Sequence, residues 1–177
     1  TGGQMVVPGW GPLVIDLAGV DVAASQISIL ADHDATLRGV VGFGRASVAH
    51  GKLLVAGTLA PTTEAARQIL ELARSGFQFQ ASVGVAPSAW DRIRAGELVE
   101  VNGRAIRATG PGFTLVRSSA LKEVSIVAIG ADAGMIVQVA VPLEPVDAQA
   151  HLEGFRQRHV HHGLHAAHVV AAQRPLE

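Results

Sequence analysis

Along the first 140 residues, apolar and polar positions mostly alternate, and this predicts a chain of short strands. Val14–Leu17 ("VIDL") is one apolar run, closed by Gly19, and Gln26–Leu30 ("QISIL") is a second that leads into "ADHD". Glycines at 39, 42 and 44 within Gly39–Ser47 predict a turn, then a strand that bends or runs close to other backbone. His50-Gly51-Lys52 predicts a turn between that strand and Leu53–Leu59, together a hairpin. In Phe77–Val85 ("FQFQASVGV"), Phe77, Phe79, Ala81, Val83 and Val85 fall on one face, and Gln78, Gln80, Ser82 and Gly84 on the other. Asn102-Gly103 inside "ELVEVNGRAIRA" is a strong hairpin signal. A strand over Glu123–Ile129 and another in "GMIVQVAVPLEP", stopped by Pro142 and Pro145, complete the set.

The period switches to that of a helix once in this stretch. Pro61-Thr62-Thr63-Glu64 is a start signal, with a threonine available as N-cap and a carboxylate in the first turn. Ala65, Ala66, Ile69, Leu70, Leu72 and Ala73 then form an apolar stripe, with Glu64, Arg67, Glu71 and Arg74 opposite. Gly76 ends the helix. Residues 1–146 therefore read as a mainly β body with one main helix, an α+β domain built as a barrel or sandwich. From 147 to 177 the alternation stops and histidines accumulate, which predicts a helix or linker outside the β core.

Composition narrows the function. The chain is 49% hydrophobic, which is enough to fill a core, but it has no tyrosine and few aromatics, so Val, Ile, Leu and Ala must fill it. A net charge of −1 argues against nucleic-acid binding through bulk positive charge. The absence of cysteine excludes disulfides, thiolate metal sites and a cysteine nucleophile, and fits a cytosolic protein. No apolar run is long enough for a helical membrane span. The glycines form neither a phosphate-binding loop nor a dinucleotide fingerprint, so no cofactor is expected.

Three positions offer chemistry, each with a plainer alternative. His33, in Asp32-His33-Asp34 at a strand end, is suited to general-base work, or "DHD" is a solvated turn. Ser82 lacks the Gly-x-Ser-x-Gly elbow, since Gln80 stands in for the first glycine. It is a surface hydroxyl unless a base lies within reach. Glu123 shares a face with Leu121, Ser125, Val127 and Ile129 on alternation. It either orients an imidazole or serves as an edge-strand charge that discourages aggregation. The tail histidines (His151, His159, His161, His162, His165 and His168) include helical spacings, but no cysteine or carboxylate cage accompanies them, so no physiological metal site is expected.

The order of these segments is more specific than any one of them. "LADHD", "GFGRA", "GKLLVAGTLA", the helix "EAARQILELARSGF", "FQASVGV" and "LKEVSIVAIGAD" together resemble the prohead (capsid maturation) serine proteases of tailed bacteriophages, over roughly Val14 to Asp132. Those enzymes are related in fold to the herpesvirus maturation protease, assemblin. The resemblance implies a mainly β fold with flanking helices, a closed or nearly closed, mostly antiparallel β-barrel of the assemblin type. It implies His33 as base, Ser82 as nucleophile and Glu123 as third triad member, with Asp32 and Asp34 as competitors for that last role. Where the herpesvirus enzymes follow the third residue with an arginine pair, this chain has "AIGADA", so backbone amides would have to stabilise the oxyanion.

The implied role is capsid maturation within the assembling procapsid, in the host cytoplasm. Scaffold and major capsid protein would be the peptide substrates, together with the chain itself. The enzyme would be a homo-oligomer, a dimer or higher, with no nucleic-acid or membrane partner. The His-rich tail would be a linker to a scaffold-like region or an autocleavage product. The main rival is a catalytically inactive scaffold-binding domain on the same fold. A second is a metal-dependent hydrolase using the tail histidines. Gly84, two residues after Ser82, is expected to leave room for substrate backbone.

Overall fold

The computed structural model describes residues 5–7, 9–22, 26–130, 135–140 and 167–173. Twelve strands and one α-helix appear among them. They run β1 (Met5–Val7), β2 (Gly11–Ile15), β3 (Val20–Asp21), β4 (Ile27–Ala31), β5 (Val40–Ala49), β6 (Lys52–Leu59), α1 (Glu64–Arg74), β7 (Gln80–Ile93), β8 (Leu98–Val101), β9 (Arg104–Arg107), β10 (Phe113–Val127), β11 (Met135–Ala140) and β12 (Ala167–Gln173). A 3-10 turn over Leu17–Gly19 takes Leu17, expected in the first strand.

The main sheet follows the order β1-β2-β10-β4-β5-β6-β12-β11-β7, and β7 also pairs along β10. Most pairings are antiparallel; β10 runs parallel to β2, β3 and β4. The sheet curls into a half-barrel that is open, not closed as the resemblance implied. Strands β7 and β11 meet in register only at Ile136 and Gln80. The described residues hold one α-helix, the one that the period and caps predict; the further flanking helices that the resemblance implies are not among them.

Residues Ala167–Gln173 correct the reading of the tail. They form β12, inserted between β6 and β11, with His168 opposite Thr58 on one side and Ala140 on the other. Alternation was hard to see there because the segment is short and follows a histidine-rich run. The other tail histidines lie outside the described residues.

Local chemistry accounts for the elements that hold the site. Thr63 caps α1: its Oγ1 accepts from Ala66 N and donates to Val40 O, both at 3.2 Å. At the other end Gly76, at φ +91°, closes a Schellman motif, with Gly76 N bonded to Ala73 O and Phe77 N to Leu72 O. Ala66, Ile69 and Leu70 of α1 are buried, but Leu72 is exposed. The glycines of β5 are there for close approach, since a Cβ at Gly44 would lie 2.9 Å from Gly57 Cα across the ladder. Both hairpin turns have paired positive φ, at His50-Gly51 and Asn102-Gly103, as type I′ turns require.

The core lies inside the curl and includes Ile27, Ile29, Val41, Val55, Leu59, Ala81, Val124 and Ile126. Each aliphatic side chain fully buried there contributes about 1.5–3 kcal/mol. Phe79 and Ala81 are buried as expected, but Phe77 is 42% exposed, because β7 begins only at Gln80. The strand expected over Glu123–Ile129 likewise differs: β10 starts at Phe113, ends at Val127 and leaves Ile129 88% exposed.

Candidate active site

A bulge in β10 decides where Glu123 points. Leu121 pairs with Val85 and Glu123 with Gly84, so one extra residue, Lys122, stands on β10. The bulge reverses the phase of the alternation. Leu121, Val124 and Ile126 face the core, while Glu123 and Ser125 face away from it. The expected sharing of one face by Leu121 and Glu123 is therefore corrected. Beyond the bulge, Ser125 stands directly opposite Ser82 on β7.

Gly84 serves a different purpose from the one expected. A Cβ there would lie 3.0 Å from both the carboxyl carbon and Cγ of Glu123, and would meet Oε1 more closely still. The missing side chain admits the Glu123 carboxylate, which lies across β7 toward Ser82.

His33 arrives from the other side of β10. Strand β4 runs parallel to β10, with Ala31 beside Ile126, and the chain then turns sharply. Asp32 and His33 have φ of +48° and +60°, a left-handed conformation that costs a non-glycine residue about 1–3 kcal/mol. Hydrogen bonds hold the turn: Asp34 N to Ala31 O at 2.9 Å, Asp32 N to Ile126 O at 3.1 Å, and His33 N to Ser125 Oγ at 3.0 Å. Asp34 Oδ1 accepts from Thr36 N at 3.0 Å. Hydrogen bonds from the Thr36 side chain and backbone hold the Asp34 carboxyl below its usual range.

The side chains converge. His33 Nε2 lies 2.9 Å from Ser82 Oγ, and Nδ1 lies 2.8 Å from Glu123 Oε1. Because the carboxylate can only accept, Nδ1 carries the proton and Nε2 is left to accept from the Ser82 hydroxyl. Glu123 Oε2 accepts from Ser125 Oγ at 2.7 Å. The carboxylate that reaches the imidazole is that of Glu123, and Asp34 is turned to Thr36 instead. The Glu123 side chain is 14% exposed and that of His33 47%, so the carboxylate is sheltered while the imidazole meets solvent.

Two neighbours were missed from sequence. Ser125, wholly buried, bridges the His33 backbone and Glu123. Its position two residues after Glu123 was the available signal. Gln80, on the Ser82 face of the strand, accepts from Gly130 N through Oε1 and ties down the segment after β10. The Gly130 amide, part of "AIGADA", is thus already engaged, and residues 131–134 lie outside the described set. Beside the His33 turn, a cleft of about 650 Å³ is lined by Asp32, Asp34, Leu37, Arg38, Thr62 and Glu64, among others.

Among the described residues no group of three or more His, Asp or Glu side chains is arranged to hold a metal, and no helix is long and apolar enough to cross a membrane. No protein-family model, curated protein or solved structure matches the chain.

Proposed function

We propose that the protein is a serine endopeptidase with Ser82 as nucleophile, His33 as general base and Glu123 as the residue that orients and charges the base. The observation that carries this reading is the continuous hydrogen-bonded chain from Ser82 Oγ through the His33 ring to Glu123. The rival reading, an inactive domain on the same fold, gives no reason for residues so distant in sequence to meet at these distances. It also leaves two consecutive left-handed residues at Asp32 and His33 without a purpose.

His33 takes the Ser82 proton on Nε2 as Ser82 Oγ attacks a peptide carbonyl carbon. Glu123 keeps the second proton on Nδ1 and stabilises the imidazolium. His33 then returns the proton to the leaving amine. Water, activated by the same nitrogen, hydrolyses the acyl-enzyme and restores Ser82. Backbone amides stabilise the oxyanion.

A peptide substrate suits the surroundings. On the side away from β10, no described strand pairs with β7 beyond Gln80, so an extended segment has free backbone groups beside Ser82. Following the resemblance, the substrates are scaffold and major capsid protein and the chain itself. The enzyme works as a homo-oligomer within the procapsid of a tailed bacteriophage, in the host cytoplasm, without a cofactor. The fold is that of the assemblin type.

The test is covalent labelling. A fluorophosphonate should modify the wild-type protein at Ser82, and Ser82→Ala should abolish both labelling and peptide cleavage, a loss of about 10⁶-fold in turnover. Cleavage retained in purified Ser82→Ala protein overturns the assignment.

A further inference from the structure

We propose that Ser125 is a positioning residue that locks the tautomer and orientation of His33 through Glu123. The inference rests on the hydrolase reading for its consequence in rate, but its structural content can be tested without it. Ser125 is wholly buried and sits opposite Ser82 in the β7–β10 ladder, so its hydroxyl occupies a fixed place beneath the site.

The proton count makes its role directional. Ser125 Oγ accepts the His33 backbone N–H at 3.0 Å, and its own proton goes to Glu123 Oε2 at 2.7 Å. That leaves Glu123 Oε1 for the imidazole, at 2.8 Å from Nδ1. One hydroxyl therefore fixes both ends of the His33–Glu123 pair: the backbone that carries the ring and the carboxylate that reads it. Among the described residues, neither end has an equivalent substitute nearby. The His33 amide belongs to a left-handed turn and has no ladder partner. The Glu123 carboxylate hangs over Gly84, where no side chain supports it. A carboxylate held by a single contact can swing, and a swinging carboxylate no longer selects the Nδ1–H form of the ring.

The experiment compares ring ¹⁵N spectra of His33 and fluorophosphonate labelling in the intact chain and in Ser125→Ala. The wild type should hold the neutral ring as the Nδ1–H tautomer. Ser125→Ala should give a mixture of tautomers and label Ser82 roughly 10- to 100-fold more slowly, the range for loss of a hydrogen bond to a charged group. If Ser125→Ala does not fold, Ser125→Cys, nearly the same size but a weaker hydrogen-bonding group, should give the same change in smaller measure. An unchanged tautomer with labelling within about twofold, in whichever variant folds, overturns the proposal. A wild type that is never labelled sinks the hydrolase reading instead, and the ring spectra still decide the role of Ser125.

Discussion

At Gly84 a single absent methyl group admits the carboxylate that meets the His33 ring, so the smallest substitution there is the sharpest test of the proposed site. Gly84→Ala should push Glu123 off His33 without disturbing the β7–β10 ladder around it. Ser82 labelling should fall by between about 10- and 10⁴-fold, the upper figure being the cost of losing the orienting acid altogether. The thermal midpoint should move by only a few degrees, and unchanged labelling in the folded variant would show that Glu123 does not act on the ring. Asp34 sets a pH limit on the turn that carries His33. Its folded pKa is depressed by Thr36, so its contribution is complete above the ordinary carboxylate value of about 3.9 and is lost as pH falls through the lower folded value. The amide proton shift of Thr36, which donates to that carboxylate, should therefore be constant at neutral pH and move only in acid, as Asp34 titrates below the usual carboxylate range. Asp34→Asn, which keeps an acceptor without a charge, should remove that pH dependence.

Helix α1 tests the same region at the scale of an element. Its N-cap, Thr63, is bonded both to Ala66 N and to Val40 O at the start of β5, so one hydroxyl joins the helix to the strand that follows the His33 turn. Thr63→Ala should cost about 1–2 kcal/mol, measured by urea unfolding, whereas Thr63→Ser should cost little. An alanine variant as stable as the wild type would remove the cap from the account. This element was legible in the sequence because everything that makes it is local: Thr63, the Ala66–Ile69–Leu70 stripe and Gly76. The turns at His50-Gly51 and Asn102-Gly103 were legible for the same reason. Glu123 was identified, but its facing was misread, because a bulge at Lys122 is fixed by pairing with a strand distant in sequence and leaves no mark on local alternation. Phe77 failed similarly: its alternation with Phe79 is real, yet the Schellman turn after α1 delays the start of the ladder to Gln80. Ser125 and Gln80 were missed because a serine or glutamine acquires a partner only when the sheet brings one.

For the whole molecule, the decisive segment is the one that sequence assigned to a tail. Strand β12 pairs with β6 from Val55 to Leu59 and with β11 from Met135 to Ala140, so it joins the body of the sheet to the only described strand on the outer side of β7. Without it, β6 and β11 both become edges, and β11 retains a single register pair with β7. Edges exposed in this way favour association with other chains. The site depends on the same join. Ser82 lies two residues beyond Gln80, and the order of that end of β7 comes from β10 on one side and from β11 on the other. A chain ending at residue 146 should therefore unfold at a markedly lower temperature than the full chain, or aggregate, and should lose Ser82 labelling even though Ser82, His33 and Glu123 are all present. Adding a peptide that covers residues 164–177 should restore both stability and labelling in a concentration-dependent way, because a segment that binds only the folded state stabilises it by mass action. Full stability and full labelling in the 1–146 chain would place β12 outside the folding unit and return the histidine-rich segment to the role of an appendage.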